Sequence, residues 1–230
     1  MRLTAVFLAL VALLGVPLAR AQSVEKVFPL EPPDGGTAGP KPILQVGVEG
    51  TELGKMRFRI ELSRDGWETV AHTFDQKEDP QGWVFTALGG ESGAAYRVRQ
   101  PLDNGLYEWR AWAWNGVDWV KGKTVHRLRI DGIPPADVGL RMRVDREKKA
   151  IVLDWDPVAT DAEGGSETVV KYHVYRYARR SFFFVIRPFE IGTTETTSFE
   201  DASDEALSST LLFYKVTAED EAGNEPERRY

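Results

Sequence analysis

The sequence predicts an all-β protein that begins with a signal peptide and continues as two consecutive β-sandwich domains. The chain has 230 residues, about twice the length of one sandwich domain. From Val27 onward, short runs of alternating apolar and polar residues follow one another, separated by Gly, Pro and Asp. A Pro-Pro segment near the middle then divides the chain into two similar halves.

Residues 1–21 have the pattern of a cleavable secretory signal peptide. A basic start precedes an apolar run over residues 3–18, and Ala19-Arg20-Ala21 places small residues around a cleavage site. The apolar run is short for a membrane span and contains Gly15 and Pro17, which disfavours an uncleaved anchor. We therefore expect an exported chain, periplasmic or extracellular, with no membrane span in its mature part.

Composition and charge narrow the classes of function. The formal net charge is −6, and loss of Arg2 and Arg20 with the signal peptide lowers it by two, to about −8. This acidic balance argues against nucleic acid or an anionic membrane as the main partner. The chain has no cysteine, so its stability must come from core burial and sheet hydrogen bonds instead of disulfides. A cysteine-free chain with a short signal peptide favours a bacterial origin.

The domain boundary is predicted at residues 131–136, Asp-Gly-Ile-Pro-Pro-Ala. The two prolines impose extended geometry and remove two backbone donors, so this short segment should be a semi-rigid spacer. The expected domains are residues 22–132 and 133–230. The clearest strand lies at residues 55–62, where every second residue is apolar and the others are mostly charged.

The two halves repeat one strand pattern. Residues 107–116 and 212–220 each form an alternating strand that ends in Ala-x-Asn or Ala-x-Asp. With the opening Phe28–Gly35 and the runs Ile151–Trp155 and Lys171–Arg176, this pattern resembles the fibronectin type III family, in particular the tandem modules of secreted bacterial proteins. The resemblance covers nearly all of the mature chain and implies two immunoglobulin-like sandwiches.

The resemblance also implies roles for single residues. Trp155 matches the family's core tryptophan, and Tyr107 matches the corner tyrosine whose hydroxyl bonds to backbone. The sequence departs from the family at the core tryptophan of the first domain, replaced by an aliphatic residue around Val46, and at the corner tyrosine of the second, replaced by Leu212. Both replacements keep burial and lose a polar group.

The second domain has a shortened last strand. Only Glu225–Tyr230 follow the turn at Gly223-Asn224, where the family has a complete closing strand. One interpretation is an open sheet edge to which a partner strand adds by β-augmentation. The other is a short but adequate strand whose edge is protected by Pro226 and two arginines.

The sequence contains no recognisable catalytic or metal-binding motif. The three histidines, His72, His126 and His173, are not at ligand spacing from one another, and His173 falls on the outward phase of its strand. The acidic stretches 154–161 and 201–205 lack EF-hand spacing and are interpreted as solvated loop acids. We therefore expect no enzyme activity, no cofactor and no metal.

An unusual aromatic pattern follows Tyr107. With Tyr107, Trp109, Ala111 and Ala113 facing the core, the outward positions are Arg110, Trp112 and Trp114, and Trp119 follows the next turn. The neighbouring strand presents Arg57 and Arg59 outward. One hypothesis is a structural cation-π ladder, as in related sandwich modules of cytokine receptors. The other is a flat tryptophan platform for a sugar ring or a protein.

A second candidate surface is the apolar hairpin near residue 185. A run of five consecutive apolar residues is too dense for one face of one strand, so some must project away from the core. They pack either against the first domain or against a partner. The candidate contact residues here are Phe182, Phe183, Phe184, Ile186 and Phe189.

These observations predict a non-catalytic exported protein that works by binding or by spacing. The first hypothesis is a component or accessory factor of a cell-envelope or extracellular assembly, held by protein–protein contacts. The alternative is a carbohydrate-binding module that uses its tryptophans.

Overall fold

A computed structural model describes residues 24–50, 56–88, 91–178, 188–208 and 212–227. Residues 1–21, predicted to be a signal peptide, and four candidate contact residues, Phe182, Phe183, Phe184 and Ile186, lie outside these ranges. The described chain consists of mostly antiparallel sheets with one short helix, α1, at Asp204–Ser208, and one 3-10 turn at Pro80–Gly82. The predicted all-β class is confirmed. In the described ranges, no helix has the length and apolar character needed to cross a membrane.

The first ten strands build two sheets, which we call the first module. The smaller sheet has the order β1-β3-β7-β6, with β1 at Val24–Glu31, β3 at Ile43–Gly50, β7 at Glu91–Arg97 and β6 at Trp83–Leu88. The larger has the order β2-β10-β8-β4-β5, with β2 at Gly36–Ala38, β10 at His126–Ile130, β8 at Gly105–Trp114, β4 at Arg57–Ser63 and β5 at His72–Asp75. Strand β9, Trp119–Lys121, also pairs with β8.

Alternation of side chains builds the core of the first module. On β8, Tyr107, Trp109, Ala111 and Ala113 are buried, as their phase predicts. They meet buried residues of the opposite sheet, among them Val46 of β3. A Cβ at the neighbouring Gly47 would stand 2.5 Å from the ring of Phe28, so a larger residue there would displace this ring. The hydroxyl of Tyr107 donates to the carbonyl of Asp103 at 3.1 Å, which confirms its predicted role as the corner tyrosine.

The remaining six strands build a smaller sandwich, the second module. Its sheets have the orders β11-β12-β15 and β14-β13-β16. The strands are β11 at Arg141–Asp145, β12 at Ala150–Asp154, β13 at Val169–Ala178, β14 at Phe189–Thr194, β15 at Ser198–Asp201 and β16 at Leu212–Asp220. Trp155 is buried against Tyr172, with ring centroids 5.3 Å apart, which confirms it as a core tryptophan.

In the acidic stretch 201–205, Asp204 and Glu205 are exposed as interpreted, but Asp201 is not. Asp201 is buried and accepts hydrogen bonds from the side chains of Arg176, Ser203 and Tyr214. Burial raises the pKa of Asp201, but these donors outweigh burial, so that the pKa lies below its ordinary value. The acid is buried because it has enough donors, which the sequence pattern does not reveal.

The segment between the modules is held by hydrogen bonds to both of them. Residues 134 and 135 are prolines and have no N–H to satisfy. The other backbone N–H groups of the segment each donate at 2.9–3.0 Å: Asp131 to Ala38 O, Gly132 to Asn104 Oδ1, Ile133 to Asp131 Oδ1 and Ala136 to Thr160 O. The linker therefore has little freedom to swing, as expected of a semi-rigid spacer.

Asn224 ties the last turn of the second module to this linker. Its Nδ2 donates to the carbonyl of Asp131 at 3.0 Å and to the carboxylate of Asp220 at 2.8 Å. Its own N–H also donates to Asp220 at 2.8 Å. Asp220 is almost fully buried, so its carboxylate depends on these donors. We call the linker and this turn the junction.

The chain after β16 does not form a strand within its described part. Residues 221–227 turn at Gly223, which has a φ of +79°, and then run back beside β16. Glu225 accepts hydrogen bonds from Thr217 Oγ1 and from the hydroxyl of Tyr175, and Lys215 Nζ donates to the carbonyl of Glu227. Side chains therefore hold this tail in place, where a closing strand would use backbone bonds.

Candidate functional site

The outward face of β4 and β8 carries the predicted Trp/Arg cluster. The antiparallel register sets Arg57 opposite Trp114, and Arg59 opposite Trp112. The same register sets Glu61 opposite Arg110. Side chains directly opposite each other on one face are close neighbours, so cations and indoles are interleaved. All the predicted residues of this face are therefore brought together.

Strand β9 adds Trp119 to this surface. Trp119 pairs with Trp114, and the two indole rings lie 5.7 Å apart at 63°. The guanidinium of Arg57 lies 5.2 Å from both ring centres, and that of Arg59 lies 4.3 Å from Trp119. The two rings are thus tilted and partly covered by cations, so they do not form the flat face that the platform hypothesis requires.

Trp67 completes the cluster and was missed by sequence reasoning. The guanidinium of Arg110 lies 3.8 Å from the ring centre of Trp67 and 5.5 Å from that of Trp112. The Nζ of Lys121 lies 5.6 Å from the ring centre of Trp112. The only sequence signal was a tryptophan directly after the turn dipeptide Asp65-Gly66. We call the cations and indoles of this face the ladder.

The loop that holds Trp67 is built on two polar side chains. Trp67 has a φ of +72°, which is uncommon for a residue other than glycine. Its N–H donates to Ser63 Oγ at 2.9 Å, and Ser63 Oγ in turn donates to Asp65 at 2.8 Å. Asp65 also accepts from the hydroxyl and the N–H of Thr69. These bonds compensate for the unfavourable backbone and fix the indole over Arg110.

Two carboxylates neutralise part of the ladder. Arg59 donates to Asp75 at 2.7 and 3.0 Å, and Arg110 contacts Glu61 at 2.8 and 2.9 Å. Asp75 and Glu61 are both buried, so each depends on its arginine. No carboxylate contacts Arg57 in the described ranges, and its Nε has no hydrogen-bond partner there.

The geometry gives the ladder a structural role. A guanidinium over an indole stabilises by about 0.5–2 kcal/mol, depending on how far the pair is removed from water. Several neighbouring contacts of this kind hold β4, β8 and β9 together on the face of the sheet that points away from the core. The indoles are half-buried, so the same face is also a partly apolar surface.

The other predicted residues are dispersed. Phe189 opens β14 and is 69% exposed. His173 faces outward as predicted but is not free at the surface, because Glu219 lies 2.7 Å from its Nε2 and Glu190 lies 3.3 Å from its Nδ1. The ring of His126 packs edge-to-face against the ring of Trp109. Over the described ranges, no three His, Cys, Asp or Glu side chains are grouped as metal ligands.

The strand orders define the class of the protein. The orders β1-β3-β7-β6 and β10-β8-β4 are the A-B-E-D and G-F-C orders of an immunoglobulin-like sandwich. The second module has A-B-E in one sheet and C-F in the other, with β14 beside C. Both modules are therefore immunoglobulin-like β-sandwiches of the kind found in fibronectin type III domains.

Comparison with known proteins adds structural neighbours only. No protein-family model and no curated protein matches the sequence. A similar solved structure comprises the FN1–FN3 domains of chicken CNTN1, with 12% identity and a TM-score of 0.47; the match covers 89% of this chain and 64% of that one. Another is the apo β-glucuronidase 3 of Bacteroides uniformis, with 11% identity, a TM-score of 0.23 and coverage of 80% and 21%. The assignment of the fold therefore rests on strand order.

Replacement of Arg110 by alanine tests the ladder. It should lower the free energy of unfolding by about 3 kcal/mol, because it leaves the buried Glu61 carboxylate unpaired. The matched control, Arg57→Ala, removes a cation without stranding a carboxylate and should lower it by about 1 kcal/mol. Urea denaturation followed by tryptophan fluorescence measures both values. Equal losses in the two variants would contradict the account of the ladder.

Acid should release the Trp67 loop. Hydrogen bonds from Thr69 and Ser63 lower the pKa of Asp65 from 3.8 to about 2. Because the pKa is lowered in the folded state, the stabilisation is complete above the unfolded value and is lost as pH falls through about 2. NMR titration of the Asp65 carboxyl carbon should give this midpoint, together with a shift of the Trp67 indole signal. Asp65→Asn should remove the acid step, and a midpoint near 3.8 in the wild type would refute the prediction.

Proposed function

We propose that the protein is a non-catalytic binding and scaffold protein that acts through protein–protein contacts. In this proposal residues 1–21 direct export, and residues 22–132 and 133–230 are its two working domains. The mature chain serves in the periplasm or outside the cell, as a component or accessory factor of a cell-envelope or extracellular assembly. The fold supplies the framework, and the surfaces of the two modules supply the contacts.

The junction is the observation that carries this proposal. A linker between independently acting domains normally leaves backbone groups to water, whereas the N–H groups between Asp131 and Ala136 are bonded within the protein. The carbonyl of Asp131 accepts from Asn224, and that of Pro134 accepts from the N–H of Ala162. Two sandwiches held in this way present their surfaces at a fixed spacing, which is what a scaffold needs.

Exposed apolar side chains supply candidate contact points on both modules. Leu106 and Val117 are exposed on the first, and Phe189 and Phe213 on the second. Aromatic residues that project into solvent are typical of protein-binding surfaces. Phe189 stands where the predicted apolar hairpin returns to β14, which supports that hairpin as a contact surface.

The alternative function is carbohydrate binding. The half-buried indoles of Trp112, Trp114 and Trp119 favour it, because sugar rings stack on tryptophan. The cations that lie over these rings oppose it, because a sugar would compete with Arg57 and Arg59 for the indole faces.

Photo-crosslinking in the organism of origin separates the two functions. A crosslinking residue in place of Phe189 should give an adduct with a defined second polypeptide. The same residue in place of Glu78, which is exposed and lies in a turn, serves as the control and should give none. Glycan-array binding that disappears in Trp112→Ala and Trp119→Ala, with no polypeptide adduct at Phe189, would favour the carbohydrate function and refute the proposal.

A further inference from the structure

Strand β11 carries apolar side chains on the core side of its sheet that are not covered. Met142 is opposite Leu153, and Val144 is opposite Ile151. Directly opposite residues share a face, and both partners on β12 are buried core residues. Met142 is nevertheless 56% exposed and Val144 is 69% exposed. The core side of β11 is thus open to solvent.

The packing of this segment ends partway along it. Val138 and Leu140, on the same phase, pack against the core, whereas Met142 and Val144 are not part of it. From Val138 to Val144 the chain advances about 20 Å at the usual rise of a strand. The open part is therefore the half of the segment that lies farther from the junction.

The edge of β11 is unpaired as well. Within the described chain, β11 pairs only with β12 and so stands at the end of the order β11-β12-β15. The sequence had suggested the edge of β16 as the place where a partner strand adds. The tail lies along that edge, because Thr217 Oγ1 donates a hydrogen bond to the carboxylate of Glu225 and Lys215 Nζ donates one to the carbonyl of Glu227. Strand β11 is therefore the better edge for an added strand.

Charge indicates what would pair with this edge. Residues 141–149, which form β11 and the turn to β12, carry five cations against two acids, Asp145 and Glu147: Arg141, Arg143, Arg146, Lys148 and Lys149. Arg141 is bonded to Asp154 and Asp156, and Lys148 is bonded to Glu200. Arg143 has only a 3.4 Å contact with Asp145. Arg146 and Lys149 have no carboxylate partner in the described ranges. The free end of the hairpin is therefore cationic, in a chain of net charge −6.

We infer that β11 binds an extended segment of a partner protein in which acidic and apolar residues alternate. The segment would add to the sheet as a strand, with its apolar side chains beside Met142 and Val144 and its acids toward Arg143 and Arg146. A second copy of this chain is the competing occupant of this edge, and dimerisation through β11 is therefore one outcome of the test. The inference rests on the proposed binding function and names the class of partner.

A synthetic peptide of alternating glutamate and valine is the probe. With the full mature chain labelled for NMR, it should shift the backbone amide signals of β11 and slow their hydrogen exchange. Binding should weaken about tenfold in Met142→Asp/Val144→Asp, which removes apolar contacts and repels the peptide. Val84→Asp, a comparably exposed site on the first module, is the matched control and should bind as the wild type does. Added salt should weaken binding, because the charge pairs are exposed.

Several outcomes would overturn the inference. They are equal binding of a peptide that alternates lysine and valine, amide shifts that map to the ladder or to β16, and concentration-dependent dimerisation through β11. Each of these leaves the proposed function standing, because that function is tested by the adduct at Phe189. A missing adduct together with peptide binding at β11 would instead refute the proposed assembly contact at Phe189 and keep the inference.

Discussion

The structure depends most on the constraint that each backbone donor away from water must find an acceptor. At the junction this constraint makes the linker rigid. The two prolines remove their own donors. Three of the four remaining N–H groups bond to a strand end, an asparagine side chain and a loop of the second module, and the fourth, of Ile133, bonds to Asp131 within the linker. Asn224 then binds the linker and the buried Asp220 together. A hinge needs spare backbone groups that can exchange partners with water, and the segment from 131 to 136 has few of them.

The need of each buried polar group for a partner also explains how the outer face of the first module is built. Strand β8 gives one side to the core and the other to the ladder, so its tryptophans stabilise the sheet from both faces. Each buried carboxylate of the ladder has its own arginine, and each of those arginines also lies against an indole. The outer face is therefore as well ordered as a core while staying half-exposed. A surface of this kind binds with little loss of side-chain entropy.

The sequence predicted features that depend on local period and missed those that depend on distant partners. Alternation alone placed Trp109 inside and Trp112 outside, and the Pro-Pro pair marked the linker. Trp67 was missed because it lies in a loop with a positive φ, where no period exists to assign a face. The burial of Asp201 was missed because its donors come from other strands. Asn224 bonds to Asp131 across 93 residues, a contact that no local pattern contains.

The central claim is that the junction fixes the two modules relative to each other. Residual dipolar couplings of residues 22–230, measured for each module in one alignment medium, test this claim most directly. A fixed junction predicts alignment tensors of equal magnitude and common orientation for the two modules. Tensors that differ markedly in magnitude would show independent motion of the modules and would contradict the account.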